Sequence, residues 1–268
     1  MLEIKNVYKT FNAGTVNEKV ALQDLNLTLE DGDFVTVIGG NGAGKSTMLN
    51  AVAGVWPIDM GKILIDGQDV TRLSEHQRAK YIGRVFQDPM MGTAATMGIE
   101  ENLALAARRG VTRSLKVGIT KKEREEYHEL LKTLDLGLED RMTSKVGLLS
   151  GGQRQALTLL MATLVTPKLL LLDEHTAALD PATADKVLEL TKKIVAENHI
   201  TCLMITHNMK NALELGNRTL MMDAGRIVFD VKGAARSKMT VDDLLEKFRE
   251  NAGKNLDNDR ILLSKVEK

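Results

Sequence analysis

Residues 39–47 decide the fold, and they read Gly39-Gly40-Asn41-Gly42-Ala43-Gly44-Lys45-Ser46-Thr47. They follow an apolar run at residues 34–38 and open an amphipathic segment that ends near Gly54. This order predicts a strand, a loop and a helix, the context in which the pattern G-x-x-x-x-G-K-[ST] cradles phosphate groups. Glycines let the loop curl so that backbone N–H groups face inward, and the helix N-terminus adds a positive dipole end. The segment therefore predicts a triphosphate site.

Individual residues of this loop have predicted tasks. Lys45 bridges the β- and γ-phosphates as a point charge, and the Ser46 hydroxyl ligates Mg²⁺. The dinucleotide pattern G-x-G-x-x-G does not fit, because counting from Gly40 places Lys45 where the third glycine belongs. The predicted nucleotide contacts of the loop are Gly39, Asn41, Gly42, Ala43, Gly44, Lys45, Ser46 and Thr47.

Composition limits the class of protein. The 268 residues are enough to bury a core as one domain, with or without a subdomain. Lys plus Arg equals Asp plus Glu at 36 each, so no global field draws the protein to nucleic acid, and we expect no nucleic-acid partner. The sequence starts without a signal-like segment and contains no run that approaches a membrane span, so we expect a cytosolic chain. Its one cysteine, Cys202, lies in an apolar run and is expected to be buried rather than reactive.

Apolar periodicity and turn residues predict an α/β fold. Strands are predicted at 2–7, 25–30, 34–38, 62–65, 82–86, 168–172, 200–205, 218–222 and 226–230. Helices are predicted at 46–53, 75–79, 99–108, 121–134, 152–165, 181–197, 208–214 and 240–249. The start of helix 181–197 is the clearest, because Asp180 fits an N-cap and Pro181 fits the first helical position.

Two further segments indicate the kind of phosphate-binding protein. One reads Leu149-Ser150-Gly151-Gly152-Gln153-Arg154-Gln155, and the other is the apolar run 169–172 followed by Asp173 and Glu174. At these residues the chain resembles the ATP-binding cassette (ABC) family, in which they are the signature sequence and the Walker B strand. Gln87 resembles the family's Q-loop glutamine, and His207 resembles its switch histidine.

The resemblance extends over about residues 2–230, where the motifs, including the D-loop-like Ala178-Leu179-Asp180, occur in the family's order. It implies a P-loop NTPase fold with a RecA-like core, an antiparallel β subdomain and an inserted ABC helical subdomain. We expect a nucleotide-binding domain at 1–230, its helical subdomain at about 88–165, and a short C-terminal helical extension at 231–268.

The same resemblance implies roles for residues beyond the loop. Asp173 and Gln87 join Ser46 around Mg²⁺, Glu174 polarises the attacking water, and His207 contacts the γ-phosphate. The signature serves a second copy in trans, with predicted contacts from Ser150, Gly151, Gly152, Gln153 and Asp180. Adenine is expected to stack on Phe11 with Val20 as a second apolar contact. Tyr8 is the alternative stacking residue, although we expect it in the core.

The family commonly has proline after the Walker B glutamate, whereas this chain has His175. No second histidine or cysteine is near in sequence, so backbone accommodation with an effect on the dimer interface is a better interpretation than metal binding. Residues 173–181 also resemble the ATPase subunits of tryptophan- or tyrosine-type importers. We therefore expect the ATPase subunit of a bacterial amino-acid importer, working with ATP and Mg²⁺ as a head-to-tail homodimer.

Such a subunit lies peripherally at the cytoplasmic face of the membrane, bound to an integral membrane permease and served indirectly by a solute-binding protein. Alternatives are an exporter or lipid-handling complex, a soluble ABC ATPase such as one for iron–sulfur assembly, and a non-hydrolysing regulatory nucleotide binder, which Glu174 and His207 argue against. Met90, Met91 and Met97 are predicted to form the permease groove, or else to fill a seam between subdomains. Helix 240–249 is expected to pack on its own domain, with partner docking as the alternative.

Overall fold

The computed structural model describes residues 1–111 and 118–251, which alternate between strands and helices. The strands are β1 (Leu2–Phe11), β2 (Lys19–Leu29), β3 (Phe34–Ile38), β4 (Met60–Ile65), β5 (Gln68–Asp69), β6 (Ile82–Val85), β7 (Leu169–Asp173), β8 (Thr201–Ile205), β9 (Arg218–Asp223) and β10 (Arg226–Lys232). The α-helices are α1 (Lys45–Ala53), α2 (Glu75–Arg78), α3 (Ile99–Ala107), α4 (Lys121–Lys132), α5 (Gly151–Thr163), α6 (Pro181–Glu197), α7 (Met209–Glu214), α8 (Gly233–Ser237) and α9 (Val241–Asn251). These residues form two compact units: the first holds Met1–Arg78 and the described residues from Ile200 onward, and the second holds the described residues of Ala79–His199.

The first unit contains an antiparallel sheet and a largely parallel one. In the antiparallel sheet the strand order is β2-β1-β4-β5. In the other, β3 pairs in parallel with β8 and with β9, and β10 pairs antiparallel with β9. All five residues of β3 are buried, which is typical of a central parallel strand covered on both faces.

Helix α1 follows β3 directly and is bounded by glycines in the left-handed conformation, Gly44 and Gly54. Its C-terminal carbonyls are capped by the buried side chain of Arg78, whose Nη1 donates to the carbonyl oxygens of Ala51 at 2.7 Å and Val52 at 2.8 Å. Carbonyls in the last turn have no partner within the helix, so this guanidinium replaces water there. The phosphate-loop helix is thus fixed at both ends.

In the second unit, β6 and β7 pair in parallel, with Val85 opposite Leu172. The helices carry one apolar core, in which Leu103 of α3, Leu131 of α4 and Leu157 of α5 are fully buried. This arrangement places the end of β7 and the start of α5, where the predicted Walker B carboxylates and the predicted signature lie, within one packed body.

Helix α9 packs on its own unit. Leu244 and Phe248 are buried in a cluster with Ile38 of β3 and Met209 of α7. The expectation of self-packing is therefore confirmed, and the apolar face of this helix is not open to a partner. Residues 252–268 of the predicted extension lie outside the described residues.

The α/β fold class is confirmed, while some boundaries are wrong. The predicted strands 2–7 and 25–30 are parts of the longer pair β1 and β2, and neither β5 nor α8 is predicted. The predicted burial of Cys202 is confirmed. No helix among the described residues is both long and apolar enough to cross a membrane.

Candidate active site

The phosphate loop needs glycine where its backbone approaches other strands. Gly39 has φ 152°, and a Cβ there would lie 2.3 Å from the carbonyl oxygen of Met222. Gly44, the N-cap of α1, has φ 99°, and its Cβ would lie 2.6 Å from the carbonyl oxygen of Ala21. Any side chain at either position would collide with backbone, so both glycines of the motif are required by packing.

Lys45 is buried beneath the loop. Its Nζ donates to the carbonyl oxygens of Gly39 at 2.7 Å and Gly40 at 3.0 Å, which holds the ammonium at the loop. Gly44 provides no side-chain cap, so the N–H groups of the first turn of α1 have no side-chain acceptor from their N-cap. Ser46 is exposed on that turn. A buried cation, N–H donors and an exposed hydroxyl fit a Mg²⁺-bound triphosphate.

The other residues predicted to contact the nucleotide from the phosphate loop differ in their exposure to solvent. Asn41 and Gly42 are exposed at the mouth, Ala43 is buried, and Thr47 is half-buried. The Nζ of Lys19 lies 3.7 Å from where a Gly42 Cβ would stand, which adds a second cation that the motif does not predict.

The two residues predicted to contact adenine lie on neighbouring strands. Phe11 is half-buried at the end of β1, and Val20, on the paired strand β2, is 42% exposed. The ring of Trp56 meets Phe11 edge-to-face, with centroids 5.0 Å apart and planes at 82°. Trp56 is not among the predicted residues, although a lone tryptophan just after the phosphate-loop helix is a usable signal. Tyr8 is half-buried, so its predicted place in the core is wrong.

His207 is half-buried between the end of β8 and the start of α7. Its neighbours are fixed on both sides. Thr206 accepts a hydrogen bond from the Asn208 backbone N–H at 3.1 Å, and Asn208 caps α7 by accepting from the N–H of Asn211 at 3.1 Å. The backbone of the predicted switch histidine is thus defined by a strand end and a helix cap.

The Walker B carboxylates and the Q-loop glutamine lie at one edge of the β6–β7 pair. Asp173 ends β7, Glu174 follows it, and Gln87 comes two residues after β6. Gln87 is exposed, and both carboxylates are half-buried. Glu174 has φ 45°, a left-handed conformation that costs a non-glycine residue about 1–2 kcal/mol. Such strain at a predicted catalytic residue indicates that the neighbouring structure fixes its orientation.

His175 is 1% exposed, and its Nε2 lies 3.1 Å from the Thr191 hydroxyl on α6. Burial lowers the pKa of His175 to about 4, so the imidazole is neutral at neutral pH. Because it is buried within its own unit, direct contact with a second copy is not open to it. The predicted backbone accommodation at His175, with its effect on the dimer interface, stays a prediction, and the effect would have to act through the backbone.

The signature begins at the N-terminus of α5. Ser150 is exposed and forms a capping box, in which its Oγ accepts from the Gln153 N–H at 3.3 Å and Gln153 Oε1 accepts from the Ser150 N–H at 3.2 Å. A Cβ on Gly152 would lie 2.1 Å from Cγ2 of Thr183, and one on Gly151 would lie 3.4 Å from the Leu179 side chain. The signature is thus brought against the D-loop-like segment.

Asp180 is exposed and caps α6 by accepting from the Thr183 N–H at 3.1 Å. The hydrogen bonds from Thr183, with the side-chain bond contributing most, lower the pKa of Asp180. This carboxylate is therefore ionised at neutral pH.

Two buried side chains that the motifs do not predict support the signature. Arg154 donates through Nη2 to the carbonyl oxygens of Val146, Gly147 and Leu149, at 3.1–3.3 Å. Gln155 donates through Nε2 to the carbonyl oxygen of Phe86 at 3.3 Å, which joins the signature helix to the residue before Gln87.

Comparison with known proteins agrees with this geometry. The family model described as ABC transporter matches residues 22–177, more than half of the chain. The chain belongs to the ABC transporter family. It is 46% identical to the tyrosine transport ATP-binding protein of Clostridioides difficile (strain R20291) over 248 residues, covering 92% of this chain and 98% of that protein.

The ABC chain is also 33% identical to the methionine import ATP-binding protein MetN 2 of Enterococcus faecalis (strain ATCC 700802 / V583), covering 99% of this chain and 75% of that one. A solved dimeric structure of the ATP-binding cassette MJ0796, in a post-hydrolysis state bound to ADP and Pi, matches with a TM-score of 0.74. It is 30% identical and covers 87% of this chain and 98% of that one. The ABC chain is thus an ATP-binding ATPase with the fold of an ABC cassette.

Proposed function

We propose that this ATPase is the energy-supplying subunit of a bacterial importer for a small solute such as an amino acid. It would act on a separate integral membrane permease, at the cytoplasmic face of the membrane, with the solute delivered by a binding protein. The main support is the 46% identity to a tyrosine transport ATP-binding protein, which extends over 92% of this chain. The similarity to a methionine import ATP-binding protein over 99% of the chain supports the same class of solute.

In the proposed mechanism, the first unit binds the nucleotide. Lys45 and the first-turn N–H groups of α1 hold the β- and γ-phosphates, with Phe11 and Val20 against adenine. Ser46 would ligate Mg²⁺, which when bound neutralises phosphate charge. His207 would contact the γ-phosphate as a hydrogen-bonding partner.

The second unit supplies the groups for hydrolysis. Asp173 would be the carboxylate ligand of the metal, and Gln87 would respond to both the metal and the permease. Glu174 would accept a proton from the attacking water as a general base. The strained backbone of Glu174 is the observation in the structure that best supports this role.

We also propose a head-to-tail homodimer. The Ser150 hydroxyl accepts from within its own helix, so its proton remains free to be donated to a phosphate of the second copy. Gly151 and Gly152 would add N–H groups at the exposed start of α5, with Gln153 and Asp180 beside them. The capping box keeps these donors fixed before any second copy arrives.

The permease is proposed to dock beside the Q-loop. Met90 is 48% exposed and Met91 is 69% exposed. Arg154 contacts the sulfur of Met90 and also the carbonyl oxygen of Gly147, so Leu148, 72% exposed, belongs to the same surface. Met97 is half-buried, which leaves Met90, Met91 and Leu148 as the main apolar contacts.

Transport is tested by deleting the gene and measuring uptake of labelled tyrosine, tryptophan and methionine. Complementation with the wild-type gene should restore uptake of the transported solute, whereas Lys45→Ala, made at equal levels, should not. Normal uptake with impaired efflux would instead support an exporter. Normal fluxes, with the protein absent from the membrane fraction, would support a soluble ABC ATPase.

Docking is tested by single cysteines at Met90, Met91 or Leu148 in the assembled complex. These should crosslink to the permease, with yields that change on ATP binding. A cysteine at the exposed Arg249 of α9 is the control. Crosslinking only at Arg249 would contradict the assignment of the docking surface.

A further inference from the structure

His175 is buried immediately after Glu174, the proposed general base, and it has no role in the proposed mechanism. Its Nε2 lies 3.1 Å from the Thr191 hydroxyl, and that hydroxyl donates its one proton to the Val187 carbonyl oxygen at 2.7 Å. The hydroxyl must then accept from His175, because it has no second proton to donate. His175 is therefore the tautomer with a proton on Nε2.

This hydrogen bond fixes one residue of the turn that follows Glu174. The Ala177 N–H donates to the Glu174 carbonyl oxygen at 2.9 Å, so His175 is a central residue of a turn that starts at Glu174. On the other side, Glu174 follows β7, which is held by its pairing with β6. With the turn attached to α6 through Thr191, the backbone of Glu174 is held from both sides.

The remaining imidazole nitrogen, Nδ1, is buried and has no hydrogen-bond partner among the described residues. Such a nitrogen costs stability relative to an apolar side chain of similar shape. A buried group that is only half satisfied needs a reason to be there, and orientation of the adjacent strained glutamate supplies one.

We propose that His175 and Thr191 form a positioning pair, which holds the left-handed backbone at Glu174 and thereby aims the carboxylate at the attacking water. The proposal rests on the proposed role of Glu174 as general base. His175 itself touches neither nucleotide nor water in this role. The pair supports the hydrolytic step and leaves nucleotide binding to the first unit.

Matched variants of full-length protein test the pair by steady-state hydrolysis of MgATP. Thr191→Val removes the hydroxyl at nearly constant shape and should lower kcat by about three- to tenfold, the effect of one hydrogen bond, with KM unchanged. Thr191→Ser keeps the hydroxyl and should restore kcat. The control is Thr163→Val on α5, which removes a buried hydroxyl that likewise donates to the carbonyl four residues earlier, at 2.8 Å.

A second set changes the histidine, in case Thr191→Val fails to fold. His175→Gln keeps an N–H donor near the position of Nε2 and should retain most of kcat. His175→Met has similar length without a donor and should lose activity as Thr191→Val does. Thermal unfolding of each variant verifies that the molecules assayed are folded.

The background Glu174→Gln separates this proposal from the proposed function. If Glu174→Gln hydrolyses ATP at a near wild-type rate, the general-base assignment fails, whatever Thr191→Val does. If Glu174→Gln is inactive in steady-state hydrolysis while Thr191→Val has the same kcat as the control Thr163→Val, the positioning pair is overturned. It is also overturned if Thr191→Val lowers the slow single-turnover rate that remains in Glu174→Gln by the same factor as it lowers the wild-type rate.

Discussion

Glu174 is a half-buried carboxylate on a strained backbone, one residue beyond the strand that ends with the proposed metal ligand. We expect Glu174→Gln to abolish multiple turnover while leaving ATP binding intact, because the amide cannot accept a proton from water. An ATP-dependent dimer should then persist, which light scattering would detect. In contrast, Lys45→Ala should weaken ATP binding itself and yield no dimer.

Gly152 tests how closely the signature is packed. A Cβ there would lie 2.1 Å from Cγ2 of Thr183, so Gly152→Ala must displace the Thr183 side chain or the start of α5. A displaced start of α5 moves the groups proposed to contact the nucleotide of a second copy, so the ATPase rate should fall by about 10- to 100-fold, with nucleotide affinity of the single chain retained.

Two further variants control the test of Gly152. Adding Thr183→Ser removes the colliding methyl group and should restore part of the rate. Gly118→Ala, where an added Cβ would meet no atom of the described residues within 4 Å, should change nothing. If Thr183→Ser gives no recovery, the collision is not the cause of the loss.

At the scale of elements, the motif-bearing segments could be predicted, because glycine, proline and capping residues act through local geometry. Predicted helix 181–197 matches α6 (Pro181–Glu197), as its cap and proline require. The predicted strands are shorter than β1 and β2. The register of this pair shifts more than once, which interrupts the two-residue alternation of apolar and polar side chains. Left-handed residues such as Asn6 and Asp24 within these strands hide the pattern further.

Side-chain partners far apart in sequence could not be predicted. The hydrogen bond between His175 and Thr191 joins residues 16 positions apart in sequence, and the hydrogen bond between Gln155 and Phe86 joins residues 69 positions apart. Each depends on how a helix is placed after folding, which local propensity does not determine. The sequence identified His175 as unusual, but only the structure gives it a partner.

Helix α9 should stabilise the first unit. Phe248 is 4% exposed in the cluster that includes Ile38 of β3, so Phe248→Ala should reduce the free energy of unfolding by about 3–5 kcal/mol. The neighbouring Arg249→Ala, on the exposed side, should cost less than about 0.5 kcal/mol. Urea denaturation measures both. Equal, small effects would mean that α9 contributes little to the fold.

At the scale of the whole molecule, the proposed head-to-tail dimer predicts complementation in trans. Mixing Ser150→Arg chains with Lys45→Ala chains gives heterodimers in which one composite site carries both lesions and the other carries none. Independent sites would then give roughly a quarter of the wild-type rate, whereas each variant alone should be inactive. Inactive mixtures that demonstrably contain heterodimers would contradict the arrangement.

The burial of Cys202 gives the intact protein an internal reporter. This single thiol is fully enclosed in β8, and burial raises its pKa, so it is both inaccessible and protonated while the strand is in place. Maleimide should therefore react with native protein only as fast as β8 is exposed, and saturating ATP should slow the reaction. The maleimide reaction of the wild-type protein thus measures how often β8 is exposed. Cysteines introduced for labelling can be used without first replacing Cys202.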